Sequence, residues 1–409
     1  LIAILLSVAP VVLAASILML GNSLLGIVIQ LKLNEAGIAP ELIGATMSAF
    51  FGGFMLGSLY AKRLVGRVGH VRTFAALAGI SAVAVLIYPL VFSPPVWALL
   101  RVVQGFCLAG LFTVMESWLN ERSTNETRGQ VLTFHMSSYY LALCFGQLMV
   151  NLWDLAGLEA FIMAGILVTF SLVPIALTST PAPEIAEVRP MALRALYACS
   201  PLAVVGVFLG GMMIGAVHGL AAVFAQNTGL SVFHVSLFTG AVVFGPFLLL
   251  WPIGRLSDRV GRRIVLGGSV GLALLGCLAM IGLAHLGASL PALLLLALFL
   301  GGTLTSIYPS STAHAFDQLP RAQYVAAAGG LLLFFSAGAT LGPLLASAAM
   351  GAFGPTGLFG YEAAVAAVLL GFLGYRALQR PKVPLVQPES FVDVPPTSPA
   401  APQLDPRHQ

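Results

Sequence analysis

Arg101, Glu116, His135 and His218 are the residues best placed for chemistry, because each interrupts or borders a long stretch with few other charges. An arginine about six residues inside an apolar run is costly unless it snorkels, reaches a wet cavity or finds a partner. Arg101 is therefore either a contact for cargo or proton coupling, or a residue that snorkels or joins helices. Glu116 ends the same run and His135 begins the next, so the two can face each other across a short connection and exchange protons. The competing reading has Glu116 capping a helix or pairing with Arg122 or Arg128. A neutral imidazole at His218 both donates and accepts hydrogen bonds, which suits a polar solute as well as a packed interior.

These residues lie in separate segments with no His-x-x-His or carboxylate-His spacing, so an enzyme is not expected. Cys107, Cys144, Cys199 and Cys277 are widely separated and read as apolar packing residues, with neither a metal site nor a disulfide framework. A phosphate-binding GxxxxGK[ST] loop is missing from the sequence, which argues against direct ATP use. No cofactor is expected.

The elements that must hold these residues follow from composition. The 409 residues are 58% hydrophobic and 8% charged, against roughly 25% charged in soluble domains. Residues 1–31, 42–61, 73–100, 129–153, 160–183, 195–254, 264–316 and 322–361 contain no Asp, Glu, Lys or Arg. About 20 apolar residues cross a bilayer as a helix, and the longest intervals hold two crossings each. Twelve spans are predicted, at about 5–30, 41–62, 72–92, 95–118, 129–151, 159–178, 196–225, 235–256, 264–285, 289–312, 323–349 and 356–377. Short alternating strands, as a barrel needs, are not seen. Residues 1–31 lack a basic flank and read as a first span rather than a cleavable signal.

Seventeen of nineteen basic residues fall in connections on one side of these spans, Lys32 and Arg101 being the exceptions. Basic residues in short loops stay cytoplasmic, which puts both termini in the cytoplasm of a multi-pass inner-membrane protein. A net charge of +4 gives no sign of nucleic-acid binding. The expected organisation is a six-helix bundle over 1–178, a cytoplasmic linker over 179–195, a second six-helix bundle over 196–380 and a disordered tail over 381–409. The tail is rich in Pro and Ser and has little apolar area to offset ordering entropy.

The two halves repeat. GRVGHVR at 66–72 aligns with the end of GRLSDRVGRR at 254–263, so that Gly69 meets Gly261 and Arg67 meets Arg259 at an offset of 192 residues. The sequence resembles the major facilitator superfamily of transporters, in which a Gly-x-x-x-Asp-Arg-x-Gly-Arg-Arg loop joins the second and third spans. The better copy here is the second, with Gly254, Asp258, Arg259, Gly261, Arg262 and Arg263. The first keeps Arg67, Gly69 and Arg72 but has Gly66 at the Asp position. The resemblance implies gating by these loops, with Asp258 accepting hydrogen bonds from Arg259 or a neighbouring loop; Asp317 and Arg321, in the connection after span ten, are the expected counterpart of a Glu116 pairing with Arg122 or Arg128 after span four. The bland alternative is that the loops only enforce topology.

RVVQG at 101–105 meets the family's Arg-x-x-x-Gly in the fourth span, whereas the fifth span lacks the Gly-Pro of drug antiporters. GATLGP at 338–343 supplies a similar string in the eleventh span. MESWLNERSTNETRGQ at 115–130, with GHVR, is similar to the bacterial YcaD-type permease branch. Family membership implies an all-α membrane protein, twelve helices in two bundles, working as a monomer. It also implies that spans one, four, seven and ten line a cavity with Asn22, Gln30, Arg101, Gln104, His218, Gln226, Asn227, Thr303, Thr305, Ser306 and Tyr308. Phe208, Trp118 and Phe224 are candidate aromatic walls, and Arg128 is taken as a surface-loop residue. The expected function is symport, antiport or facilitated transport of a small polar or anionic organic solute, driven by its own gradient or by protons, in contact with membrane lipids. Proton-driven multidrug or metabolite efflux is the alternative, and a non-transporting receptor or scaffold the alternative of a different class.

Overall fold

The computed structural model describes residues 2–124, 127–177, 191–320 and 323–379, with Val392, 395–398 and Ala401 from the carboxy-terminal segment. Backbone polar groups have no water to bond inside a bilayer, so apolar segments satisfy them internally as helices. Among the described residues eleven helices are long and apolar enough to cross. The more polar Arg128–Leu148, of 21 residues, packs among them against the first and eighth and completes a set of twelve.

In chain order they are α1 (Ile2–Glu35), α2 (Pro40–Val68), α3 (His70–Ile87), α4 (Pro94–Glu121), α5 (Arg128–Leu148) and α6 (Glu159–Phe170, continued by Leu172–Ala176). Then follow α7 (Pro201–Asn227), α8 (Val232–Val260), α9 (Arg262–His285), α10 (Leu290–Thr305, continued by Ile307–Phe316), α11 (Tyr324–Phe353) and α12 (Gly357–Gln379). Proline opens α2, α4 and α7, where its missing N–H costs nothing. At Gly69 (φ +87°) and Gly261 (φ +107°) the chain leaves one helix and starts the next, a left-handed conformation that explains the paired glycines of the repeated loops.

Helices α1–α6 pack largely with one another, as do α7–α12, and the groups meet along α2–α11, α5–α8 and α1–α7. The 192-residue repeat is visible in these seams. On one, Gly44 abuts Pro343 and Ser347, and Ser48 bonds the Thr340 carbonyl. On the other, Asn151 donates to Ser236 at 2.7 Å and Gly240 abuts Leu148. Adding 192 carries Gly44 and Ser48 to Ser236 and Gly240, and subtracting it carries Pro343 and Thr340 to Asn151 and Leu148. At α1–α7 the equivalent residues meet each other. Asn34 donates to Gln226 at 2.8 Å and the Ala222 N–H donates to Gln30 at 3.3 Å, both pairs 192 apart. A pseudo-two-fold axis therefore passes between α1 and α7.

Within each group the repeat fixes a glycine crossing. A Cβ on Gly53 of α2 would stand 2.0 Å from the Val102 carbonyl oxygen of α4, and one on Gly245 of α8 would stand 2.0 Å from that of Leu298 on α10. Neither can be accommodated without parting the helices, and overpacking costs about 1–3 kcal/mol or more. Gly53→Val and Gly245→Val should each lower the thermal midpoint of the detergent-solubilised protein by several degrees. Gly79→Val, where a Cβ meets nothing within 4 Å, should not; equal midpoints for all three would refute this packing.

Two expectations need correction. Arg128 is buried at the start of α5 rather than exposed in a loop. The tail is not disordered throughout: Thr397, Ser398 and Ala401 are buried, held by polar bonds that an estimate from apolar area misses. Lys32, alone among the loop cations on its side, is engaged by the Ala156 and Gly157 carbonyls at 3.2 and 2.8 Å. Most of the linker, including Pro181, Pro183, Glu184, Glu187, Arg189 and Pro190, lies outside the described residues. So do Arg321, Arg380, Lys382 and Arg407.

Candidate functional site

Between the two groups lies a cavity of about 210 Å³ whose wall includes Asn22 and Gln30 of α1, Arg101 of α4, His218 of α7 and Thr305 of α10. Aromatic rings from Phe50, Phe51 and Phe54 of α2, Tyr139 and Tyr140 of α5, and Phe335 of α11 form much of the rest. This is the mostly apolar hollow with a few convergent polar groups that small-molecule sites share.

Arg101 is the cavity's cation. Its residue is 2% exposed, and Nε and Nη2 have no hydrogen-bond partner among the described residues. The guanidinium lies 5.4 Å from the Phe50 ring centroid, a cation–π contact that offsets only part of its desolvation. Gly26 clears space beside it, since a Cβ there would lie 3.8 Å from Nη2. His218 is exposed to the cavity, with Nδ1 3.0 Å from the Ile214 carbonyl oxygen. Its own carbonyl accepts from Gln30 Nε2 at 3.0 Å.

The cavity is sealed at the end away from the basic loops. Gln30 bridges α1 to α7 there, and Asn34 Nδ2 donates to both Gln226 and Asn227 at 2.8 Å. Gln226 and Asn227 thus belong to the seal rather than to the cavity wall. At the opposite end the carboxy-terminal segment enters: Pro395, Pro396 and Thr397 line the cavity. Thr397 Oγ1 and Ser398 Oγ donate one to each carboxylate oxygen of Glu116, which is fully buried.

Other anticipated residues are placed elsewhere. Gln104 accepts from the Tyr88 hydroxyl at 2.9 Å inside the first bundle. His135 is buried, with neither ring nitrogen bonded among the described residues, and Glu116 pairs with the tail instead of with His135, Arg122 or Arg128. Tyr308 packs edge-on against Phe335 at 5.1 Å, one layer behind the cavity. Thr303 and Ser306 bond carbonyls of their own helix. Trp118 stacks on His70 at 6.1 Å, joining the two strings MESW and GHVR, and Phe224 packs on Phe359 at 4.8 Å. Neither is a cavity wall. Tyr139, Tyr140 and Thr397 were not anticipated; the Tyr-Tyr pair in a span was a readable signal, the tail hydroxyls were not.

The repeated loops differ as their sequences do. Asp258 accepts from Arg262 Nη1 at 2.7 Å, one turn on, and not from Arg259, which is exposed. Arg262 Nε reaches Asp317 at the end of α10, 3.3 Å away. This cluster ties the α8–α9 turn to α10 within one bundle, with Gly254 buried beneath it and Arg263 half-buried beside it. Arg67 and Arg72 are exposed and form no ion pair among the described residues. Gly338 and Gly342 of GATLGP bring α11 onto α7, where Cβ atoms would stand 2.0 Å from the Phe208 and Met212 carbonyl oxygens.

Comparison with known proteins agrees with this architecture. The Major Facilitator Superfamily description matches residues 11–217 and again 202–403. An MFS-type transporter of Enterobacter sp. (strain 638) is 30% identical over 89% of this chain and 94% of its own length. The MFS-type transporter YcaD of Salmonella enteritidis PT4 is 28% identical over the same shares. Among solved structures, the nucleoside transporter NupG superposes with a TM-score of 0.72 at 13% identity, covering 92% of this chain and 100% of that one. A bacterial homolog of the human lysosomal transporter Spinster, inward-facing and occupied, gives 0.70 at 16% identity, covering 92% and 98%. Twelve helices in two pseudo-symmetric groups around a cavity with a few convergent polar groups, with these relatives, make the chain a membrane transporter that belongs to the Major Facilitator Superfamily.

Proposed function

We propose that the chain moves a small polar or anionic organic solute across the bacterial inner membrane by alternating access, with both termini and the basic loops in the cytoplasm. The observation that carries this reading is Arg101: a buried guanidinium with two nitrogens unbonded among the described residues, on the wall of a cavity closed at one end. A fixed cation without a fixed counter-charge is complementary to a carboxylate, phosphate or strongly polar group supplied by a ligand. The basic-loop assignment makes the seal at Asn34, Gln226 and Asn227 the outer gate, so the conformation is inward-facing. The two bundles then act as the units that rock around the cavity.

Purified protein in liposomes tests this. Uptake of a panel of radiolabelled carboxylates, phosphate esters and neutral polar solutes should show saturable flux for one chemical group, measured with and without an imposed pH gradient. A pH-dependent rate adds proton coupling; saturable flux confined to organic cations would reverse the charge assignment.

A further inference from the structure

Glu116 presents a carboxylate at the basic-loop end of the cavity, fully buried, with both oxygens engaged by hydroxyls from two successive residues of the chain's own tail. Glu116 does not itself line the cavity, whereas Thr397 does, so the tail stands between the carboxylate and the hollow. The tyrosines Tyr139 of α5 and Tyr308 of α10 are within electrostatic range, from opposite bundles. An ionised carboxylate only accepts, and its complement here is a pair of adjacent O–H donors. That is the donor pattern of a vicinal diol. Arg101 lies fifteen residues earlier on the same helix, about 22 Å along its axis at 1.5 Å per residue, so a small solute cannot touch both at once.

We propose that Glu116 anchors a hydroxyl-recognising subsite at the inner mouth, that it takes polyhydroxylated solutes, and that Thr397 and Ser398 occupy it as a built-in competitor. The proposal rests on the transport reading and narrows its cargo. Seventeen residues lie between the end of α12 at Gln379 and Thr397, enough to span up to about 60 Å at 3.3–3.6 Å per residue. A connection of that length is long enough for Thr397 and Ser398 to withdraw when cargo takes their place. A tethered segment acts at an effective concentration in the millimolar range, so it competes well with a weakly bound solute and yields to a concentrated one.

The test uses the full-length protein and equilibrium dialysis against radiolabelled ribitol, with succinate as a hydroxyl-free dianion. Thr397→Val with Ser398→Ala keeps the tail but removes both donors. Its ribitol affinity should rise about tenfold over the native chain, as expected when a competitor at millimolar effective concentration is lost. Glu116→Gln should abolish ribitol binding in both backgrounds and leave succinate binding unchanged. Equal ribitol affinities in the native and tail-altered proteins would overturn the proposal, as would ribitol binding that survives Glu116→Gln. Should ribitol bind to neither protein while liposomes still take up another solute, this subsite is wrong and the transport reading stands.

Discussion

Arg101→Ala raises the KM for the transported solute by at least about 30-fold while the protein remains folded. The reasoning is electrostatic. Truncating one partner of a buried, hydrogen-bonded charge pair costs about 2–5 kcal/mol, and each 1.4 kcal/mol is a factor of ten in affinity. Arg101→Lys keeps the charge but loses the planar fork, so it should restore only part of the affinity for a carboxylate or phosphate. Arg194→Ala, at an exposed position before α7, should leave KM unchanged. A stability measurement separates this role from a structural one. With Nε and Nη2 unbonded among the described residues, Arg101 without cargo is a desolvated charge that weakens the fold. Arg101→Met should therefore hold or raise the thermal midpoint while uptake is lost, the trade expected at a binding site. A variant that loses stability and uptake together would mark Arg101 as a helix-joining residue.

The contrast between what the sequence disclosed and what it hid follows from the range of the forces involved. Helix number comes from desolvation, which acts residue by residue and is written in the spacing of charges. The repeat offset, readable from Gly69 and Gly261, extends through the fold to Gly53 and Gly245 and to the polar pairs of the seal. Arg101 was legible because charge in an apolar run has few destinations. Gln104, Gln226 and Asn227 were not separable from it, since a polar residue on a lining span faces the cavity, its own bundle or the gate according to rotation and depth. Glu116 shows the limit most clearly. Its partners lie 281 and 282 residues away in a segment whose composition predicts disorder, and two hydroxyl hydrogen bonds leave no trace in hydropathy. Asp258 chose Arg262 over Arg259 for a local reason: residues four apart on a helical path are neighbours, while adjacent ones point apart.

Locking the seal arrests transport. Asn34 and Gln226 occupy equivalent positions across the pseudo-two-fold axis and touch through their side chains, so the distance between them reports directly on whether this end of the cavity is open. In a background with the half-buried Cys144 and Cys199 changed to Ser, an Asn34→Cys and Gln226→Cys pair bridged by a short bis-methanethiosulfonate reagent should lose saturable uptake to the level of empty liposomes. Dithiothreitol should return it. Either single cysteine, treated alike, should retain most of its activity, because the reagent then adds bulk without a tether. The argument needs no knowledge of the cargo: alternating access requires the α1–α7 contact to part once per cycle, and a covalent bridge is beyond the few kcal/mol that conformational equilibria of this kind command. Uptake that persists in a fully bridged protein would mean that these ends of α1 and α7 stay together throughout the cycle, and the gate would have to be sought at the α2–α11 or α5–α8 seam, where Ser48 with Thr340 and Asn151 with Ser236 offer the corresponding pairs.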